Sequence, residues 1–465
     1  MSRYTSATDD DRREMLAAIG VGSIDELFAD VPGGVRLDRP LDLPPGRSEQ
    51  EVYAHLRDLA ARNVSTEDEI SFLGAGMYDH YVPALVDSIL ARSEFLTPYT
   101  PYQPEVAQGG LQVMFEYQTA ISELTGLPVS NASVYEGPSA VAAAGYLAKL
   151  HQPRRTRFLV SRAVHPHARE TLATTSVGWG TSVEEIPLAD GLTDADALRE
   201  SLAGDVSAVV LAQPNFLGAV EDLEALVPVA KESGAVVIVQ CDPLPLGILR
   251  PPGDFGVDVA VGEGQSLGNR LDFGGPSFGF FAAQAAYLRR MPGRIAGETT
   301  DVDGRRGFVL TLQTREQHIR REKATHNICT AQALNALAGM IYLSWLGKDG
   351  LVELGELLLQ RTAYARAELA ALDGVEPLHA QPVVREFAVR LTGLDHAGVG
   401  RVVDRCAAEG VNPGYPLGGD YPEYGDGLLV AITEQRSKAD IDRLARTLGA
   451  ATAAERETTP AEAPA

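Results

Sequence analysis

Lysine and cysteine are both scarce in this 465-residue chain, and each scarcity limits the chemistry available to it. The three cysteines, Cys241, Cys329 and Cys406, are far apart and form no CxxC pair, which argues against a disulfide framework or a structural zinc site. We expect all three to be buried free thiols. A reaction that needs a lysine amine has few positions to draw on, which are 149, 231, 323, 348 and 438.

The chain also has fewer basic than acidic residues and has no long apolar run. Acidic side chains outnumber basic ones by 63 to 40, giving a net charge of −23 that repels nucleic acid and anionic membranes. No apolar run approaches the ~20 residues of a membrane span. The start, MSRYTSATDDDRREML, has the character of neither a signal peptide nor a transit peptide. We therefore expect a cytoplasmic protein that binds neither nucleic acid nor membrane.

Alternating helix and strand patterns predict a large α/β domain over residues 66–314. Its helices include 109–128, ended by Gly126 and Pro128, and an alanine-rich helix over 139–150. Its strands are continuous apolar runs, as in a mostly parallel sheet buried on both faces, namely RFLVS (157–161), AVVLAQP (208–214), AVVIVQCD (235–242) and VDVAVGEG (257–264).

Three further segments flank this domain. Residues 1–65 predict a helical arm, interrupted by the proline-rich stretch 37–46. Residues 315–450 predict a connecting helix over 315–346, which turns from charged to apolar, and then a small α+β domain. Residues 451–465 are rich in Ala, Glu, Pro and Thr and predict a disordered tail.

The most informative acidic residue is Asp242, which closes the predicted strand 235–242. Parallel α/β sheets usually bind ligands at the carboxyl edge of their strands. In enzymes that use pyridoxal phosphate (PLP), an aspartate at this place keeps the pyridine nitrogen protonated. The alternative is that Asp242 only caps the turn ahead of Pro243.

The strand 257–264 should be followed by the PLP-binding lysine in an enzyme of that kind, but no lysine occurs there. The nearest ones, Lys231 and Lys323, do not follow a strand. Side chains that cannot form an imine with an aldehyde stand at the position instead, beginning with Gln265, Ser266 and Leu267. The segment 131–145 either cradles a phosphate near Ser139 or is a plain helix start, because Pro138 supplies no N–H there.

A loop at 97–104, TPYTPYQP, concentrates hydroxyl and amide groups between prolines. Such rigid loops line a site or form an interface, and the candidates here are Thr97, Tyr99, Thr100, Tyr102 and Gln103. The pair His165 and His167 lacks a third ligand nearby, which argues against a metal site. Arg315, Arg320 and Arg321 either form a solvated helix face or reach an acidic partner.

Several stretches together resemble the glycine cleavage system P-protein, glycine dehydrogenase (decarboxylating), over residues 10–450. The length is similar to that of the amino-terminal-type chain, subunit 1, in the two-chain form of this family. The stretches that carry the resemblance are MLAAIGVGSIDELF, TPYTPYQPEVAQG, QTAISELTGLPVSNAS, GGPSFGFFA and LTLQTREQHIRREKATHNICTAQAL.

The resemblance implies a PLP-dependent transferase fold of type I, like that of aspartate aminotransferase, and an α2β2 tetramer with subunit 2. Subunit 2 would carry the PLP lysine, and the complex would decarboxylate glycine, release CO2 and pass the aminomethyl group to the lipoyl-lysine of H-protein. This chain alone would hold no catalytic residue. It would line the site across the interface with the loop from Thr97 to Gln103 and keep a degenerate pocket, made of Asp242, Gln265, Ser266, Leu267 and Ser139.

Two alternatives stay open from the sequence. One is a scaffold subunit that stabilises its partner and touches no substrate. The other is a self-sufficient PLP lyase or aminotransferase of the same fold, for which Lys323 is the only lysine to consider.

Overall fold

The structure is a computed structural model that describes residues 6–37, 39–95, 99–329 and 331–458. The chain divides into two units, Met1–Val64 and Ser65–Ala465. Its helices, numbered along the chain, are α1 Asp9–Ile19, α2 Glu49–Ala60, α3 Ala84–Leu90, α4 Gln108–Thr125, α5 Gly137–His151, α6 Pro166–Trp179, α7 Ala195–Ser201, α8 Leu223–Lys231, α9 Gln317–Arg320, α10 Ala333–Ala370, α11 His396–Ala408 and α12 Lys438–Thr458.

The strands are short, and all of them lie in the second unit. They are β1 Ile70–Ser71, β2 Val129–Ser130, β3 Arg157–Ser161, β4 Ser182–Ile186, β5 Leu188–Ala189, β6 Leu192–Thr193, β7 Val206–Gln213, β8 Val236–Cys241, β9 Val259–Glu263, β10 Gly279–Ala283, β11 Ala296–Thr300, β12 Arg306–Leu310, β13 Val375–Pro377, β14 Glu386–Leu391, β15 Val411–Asn412, β16 Tyr415–Pro416 and β17 Gly427–Ala431.

The first unit contains α1 and α2, and each begins with a capping box. In α1 the Thr8 hydroxyl accepts the N–H of Asp11, whose carboxylate accepts the N–H of Thr8. Ser48 and Glu51 make the same reciprocal pair at α2. These caps satisfy N–H groups that a helix start leaves free. Neither helix has a buried residue. Each is therefore stabilised at its start by its cap and not by packing in a core.

The centre of the second unit is a seven-stranded sheet in the order β2-β10-β9-β8-β7-β3-β4. The five strands from β9 to β4 run parallel, and β10 is antiparallel to both of its neighbours. Every residue of β7 is buried. Continuous apolar strands of this kind need cover on both faces, which confirms the mostly parallel α/β sheet that the apolar runs predicted.

Helices cover both faces of this sheet, and alternate strand residues enter two separate cores. Val209 and Val237 face a core shared with α4, α8 and α10. Ala208 and Ile238 face a core shared with α5 and α6. This alternation follows from the period of two along a strand. Because these strands run parallel, the carboxyl ends of β3, β7, β8 and β9 lie together at one edge of the sheet.

The small domain is a four-stranded antiparallel sheet in the order β13-β14-β17-β16. Its core includes residues of α11, α12 and the end of α10, which the polypeptide reaches after a break at Gly347 (φ 61°, ψ −176°). Strand β1 pairs in parallel with β15, so Ile70–Ser71 belongs with the small domain and not with the large one that the sequence suggested.

The structure corrects three further expectations. Residues 315–329 do not form one long helix but short turns and α9, and α10 begins only at Ala333. The predicted tail is helical as far as Thr458, with Glu455 buried, and residues 459–465 lie outside the described residues. Cys241 and Cys406 are buried free thiols, but Cys329 is exposed. Among the described residues, no helix is long and apolar enough to cross a membrane.

Candidate functional site

Asp242 follows β8 at the carboxyl edge of the central sheet. Its Oδ1 accepts the N–H of Leu244 at 3.3 Å, which is the turn-capping role. Its Oδ2 forms an ion pair with the guanidinium of Arg385, which precedes β14 in the small domain and is only 3% exposed. The sequence suggested Asp242 as the residue that keeps a pyridine nitrogen protonated. In the structure its carboxylate is instead paired with Arg385 of the same chain.

Arg385 is the centre of a buried polar network. Its guanidinium contacts His80 Nε2 and stands over the ring of Tyr78, 3.5 Å from the ring centroid. His80 Nδ1 lies 2.6 Å from Glu434 Oε2. The Tyr78 hydroxyl donates to Glu386 Oε2 at 2.7 Å. A cavity of only about 70 Å³ remains beside Tyr78, Arg385 and Glu386. Buried charges are stable only when they are paired, and here each partner comes from the chain itself.

The segment that would carry a lysine is committed to internal hydrogen bonds. Gln265 is buried, accepts the N–H of Tyr78 at 2.8 Å and donates to the carbonyls of Tyr78 and Asn269 at 3.0 and 2.9 Å. Leu267 packs in the core next to the central sheet. The Ser266 hydroxyl is buried with no hydrogen-bond partner among the described residues.

Two carboxylates occupy the amino terminus of α5, where a phosphate would have to bind. Glu136 caps the helix by accepting the N–H of Ser139 at 2.9 Å, and Glu263 accepts the N–H of Gly137 at 2.9 Å. Burial raises the pKa of Glu263 to about 7, although the N–H groups of Gly137 and Gln265 donate to its carboxylate. Pro138 offers no N–H. Ser139 lines a different cavity, of about 460 Å³, beside Tyr146 and Trp179.

These observations test whether this chain could hold PLP by itself. No lysine follows β9, carboxylates occupy the amino terminus of α5, and Asp242 is paired with Arg385. The residues therefore do not fit PLP. Of the five residues suggested for a degenerate pocket, only Asp242 lines the small cavity. Arg385 and Glu386 were not predicted from the sequence, although two adjacent charges at the start of an apolar strand are a signal of buried partners.

The predicted loop lines a second and larger cavity, of about 480 Å³. Tyr99 is 71% exposed and Tyr102 is 40% exposed, while Thr100 is buried and its hydroxyl donates to the carbonyl of Cys329 at 3.4 Å. Gln103 also lines this cavity, and Thr97 lies outside the described residues. Apolar side chains from α4 and α10 form the opposite wall, including Val113, Met114, Leu334 and Leu337.

Tyr102 is held by charged residues that the sequence did not single out. Arg294 Nη2 donates to the Tyr102 hydroxyl at 2.9 Å, and the ring of His318 meets the Tyr102 ring edge-on with centroids 5.7 Å apart. Glu316 is buried between them, 3.3 Å from Arg294 Nη1 and 3.4 Å from His318 Nδ1. Arg315, suggested for an acidic partner, is buried and cannot reach one.

The two histidines near β3 have a structural role. His165 caps α6, because its Nδ1 accepts the N–H of His167 at 3.1 Å, and its Nε2 lies 2.8 Å from the carbonyl of Ala75. Burial lowers the pKa of His165 to about 4, so the ring is neutral near pH 7. Among the described residues, no group of three or more His, Cys, Asp or Glu side chains is placed to hold a metal ion.

Comparison with known sequences gives one consistent family. The family model described as glycine cleavage system P-protein matches residues 2–448. A relative from Geobacillus kaustophilus, a probable glycine dehydrogenase (decarboxylating) subunit 1, is 49% identical over 449 residues, which cover 97% of this chain and 99% of that protein. The corresponding protein of Moorella thermoacetica is 49% identical over 441 residues, which cover 95% and 98%.

Comparison with solved structures agrees with this result. The crystal structure of a glycine decarboxylase (P-protein) of the glycine cleavage system, in inhibitor-bound form, superposes with a TM-score of 0.86 at 43% identity, covering 97% of this chain and 100% of that one. A sphingosine-1-phosphate lyase of Burkholderia pseudomallei has a TM-score of 0.65 at 16% identity, covering 92% and 96%, and shares the fold alone.

Proposed function

Because the chain belongs to the glycine cleavage system P-protein family and has the type I fold of PLP-dependent transferases, we propose that it is a non-PLP-binding subunit 1 that works only with subunit 2. Together, in an α2β2 tetramer, the two chains decarboxylate glycine with PLP and release CO2. They pass the aminomethyl group to the lipoyl-lysine of H-protein. The reaction is that of glycine dehydrogenase (decarboxylating), and both chains are needed for it.

The observation that carries this proposal is the ion pair between Asp242 and Arg385. It occupies the carboxyl edge of the sheet, where a cofactor would need a free aspartate, and only about 70 Å³ remains beside it. A chain that keeps the fold but fills this place with its own side chains depends on another chain for the cofactor. PLP is therefore assigned to a lysine of subunit 2.

This chain contributes the 99–103 loop to the site across the interface. The loop supports this role because Tyr99 and Tyr102 are exposed, although large aromatic side chains are usually buried. Exposed tyrosines next to an apolar wall are typical of surfaces that a partner covers. The cavity that they line, of about 480 Å³, is far larger than the one at Asp242.

The assignment of the cofactor is tested by mixing the purified chain with PLP, treating with borohydride and removing free cofactor by gel filtration. We expect no PLP to remain on this chain and stoichiometric PLP on subunit 2 treated identically. PLP fixed to this chain, located by peptide mass mapping, would reject the assignment.

The role of the loop is tested by glycine-dependent CO2 exchange in the reconstituted complex. We expect Tyr102→Phe and Gln103→Ala each to lower kcat by about 10²-fold without preventing assembly, since a single oriented hydrogen-bond donor can contribute that much. Tyr364→Phe is the matched control, because its hydroxyl donates to Asp442 and accepts from Lys438, both in α12 of the small domain. If Tyr102→Phe and Gln103→Ala assemble and exchange CO2 at the wild-type rate, this chain is a scaffold.

A further inference from the structure

A buried arginine, Arg294, joins the 99–103 loop to the backbone of Ile328 and Cys329. Its Nη2 donates to the Tyr102 hydroxyl at 2.9 Å and to the carbonyl of Cys329 at 2.9 Å. Its Nη1 donates to the carbonyl of Ile328 at 3.2 Å. Arg294 is 3% exposed. The planar guanidinium thus ties two separate segments of the chain to one rigid fork.

The same arginine is held by a buried carboxylate. Glu316 lies 3.3 Å from Arg294 Nη1 and is itself almost completely buried. It also lies 3.4 Å from Nδ1 of His318, whose ring packs edge-on against Tyr102 at 81°. Because Glu316 contacts both Arg294 and His318, the Tyr102 ring is fixed at its hydroxyl and at its edge by one polar cluster.

The contact with Arg294 determines which further hydrogen bonds the Tyr102 hydroxyl can make. A tyrosine hydroxyl has one hydrogen to donate and lone pairs to accept with. Arg294 uses a lone pair, and among the described residues no acceptor for the hydroxyl hydrogen is found, so this hydrogen can be donated to a group in the cavity that Tyr102 lines. We propose that Arg294 is a positioning residue, which orients Tyr102 as a hydrogen-bond donor towards the site at the subunit junction. The inference rests on the function proposed above.

Arg315 offers a matched control in the same region. It is also buried, at 6% exposure, but the hydrogen bonds that its side chain makes with the described residues all go to backbone carbonyls, those of Met291, Gly293 and Leu312. It makes no hydrogen bond with Tyr102. A purely structural role for buried arginines in this region would make Arg294 and Arg315 equivalent in an activity assay.

The test uses the complete complex of both subunits with PLP and measures the kcat and KM of glycine-dependent CO2 exchange. We expect Arg294→Lys to lower kcat by roughly 10- to 100-fold, the cost of a small misplacement of a reacting group, with KM for glycine changed less than about twofold. Combining it with Tyr102→Phe should lower kcat no further than Tyr102→Phe alone, because residues that act as a unit are not additive. Arg315→Lys should keep the wild-type kcat.

The possible results separate this inference from the proposed function. If Tyr102→Phe lowers kcat and Arg294→Lys does not, or if the two losses multiply, the positioning role is refuted while the function of the loop stands. If Tyr102→Phe leaves kcat unchanged in an assembled complex, the proposed role of the loop fails as well. Equal losses in Arg294→Lys and Arg315→Lys would also refute the inference. Lysine is chosen because it keeps a positive charge facing Glu316, and Arg294→Gln serves as the second variant if assembly fails.

Discussion

Replacing the buried carboxyl of Glu386 with an amide should flatten the pH dependence of stability. Glu386 is the first residue of β14; its Oε1 accepts the N–H of Ala75 at 2.8 Å, and its Oε2 accepts the hydroxyl of Tyr78 at 2.7 Å. Burial raises its pKa from 4.5 to about 7, despite these hydrogen bonds and the nearby Arg385. In Glu386→Gln the amide oxygen still accepts and the side chain no longer ionises.

The sign and size of the effect follow from the raised pKa. A carboxyl whose folded pKa is above its unfolded value stabilises the fold fully below the unfolded pKa, and this contribution is lost as pH rises through the folded pKa. The shift from 4.5 to about 7 corresponds to about 3 kcal/mol in total. Most of it, about 2 to 3 kcal/mol, falls between about pH 5 and about pH 8.

The assay is urea unfolding of wild type and Glu386→Gln at several pH values across that range. The difference between their free energies of unfolding should move by about 2 to 3 kcal/mol in favour of the variant as pH rises. Glu423→Gln is the control, because pairing with Arg162 holds the pKa of Glu423 below its usual value and places its titration under this range. Parallel curves for wild type and Glu386→Gln would refute the reasoning.

Three other substitutions test separate parts of the structure. Asp242→Asn leaves Arg385 without its carboxylate, and we expect urea unfolding to show a loss of about 3 kcal/mol; an unchanged midpoint would contradict a buried ion pair. Gly218→Ala, at φ +84°, places a methyl against the backbone of β14 and should cost about 2 kcal/mol or more in the same assay. Lys323→Ala should keep full CO2 exchange in the complex, since Lys323 is exposed; a large loss would revive a self-sufficient enzyme.

The sequence predicted the elements whose pattern is complete within a few residues. The strand expected at 208–214 is observed at Val206–Gln213, and the helix expected at 139–150 is observed at Gly137–His151. The helix predicted over 315–346 was wrong in its first half for a physical reason. Arg315 turns inward and bonds the carbonyls of Met291 and Gly293, a long-range interaction that overrides the local helical pattern.

Some residues of the candidate site could likewise be predicted from the sequence, and others could not. The loop from Tyr99 to Gln103 was predictable because its proline and tyrosine content is a local property, and the structure brings it to a cavity. Arg294 and Glu316 could not be predicted, because each is distant from the loop in sequence and comes near it only in the folded chain. The role of this loop in a site, that of Thr97 included, stays a prediction.

The sequence by itself determined that no lysine follows β9, because that is a matter of which residues are present at 265–269. It also determined the mostly parallel sheet, since fully apolar strands must be covered on both faces. Only the tertiary structure decided which side chain pairs with Asp242. Arg385 reaches Asp242 because the small domain lies against the carboxyl edge of the large sheet, and a pairing between such distant segments depends on packing that no local pattern encodes.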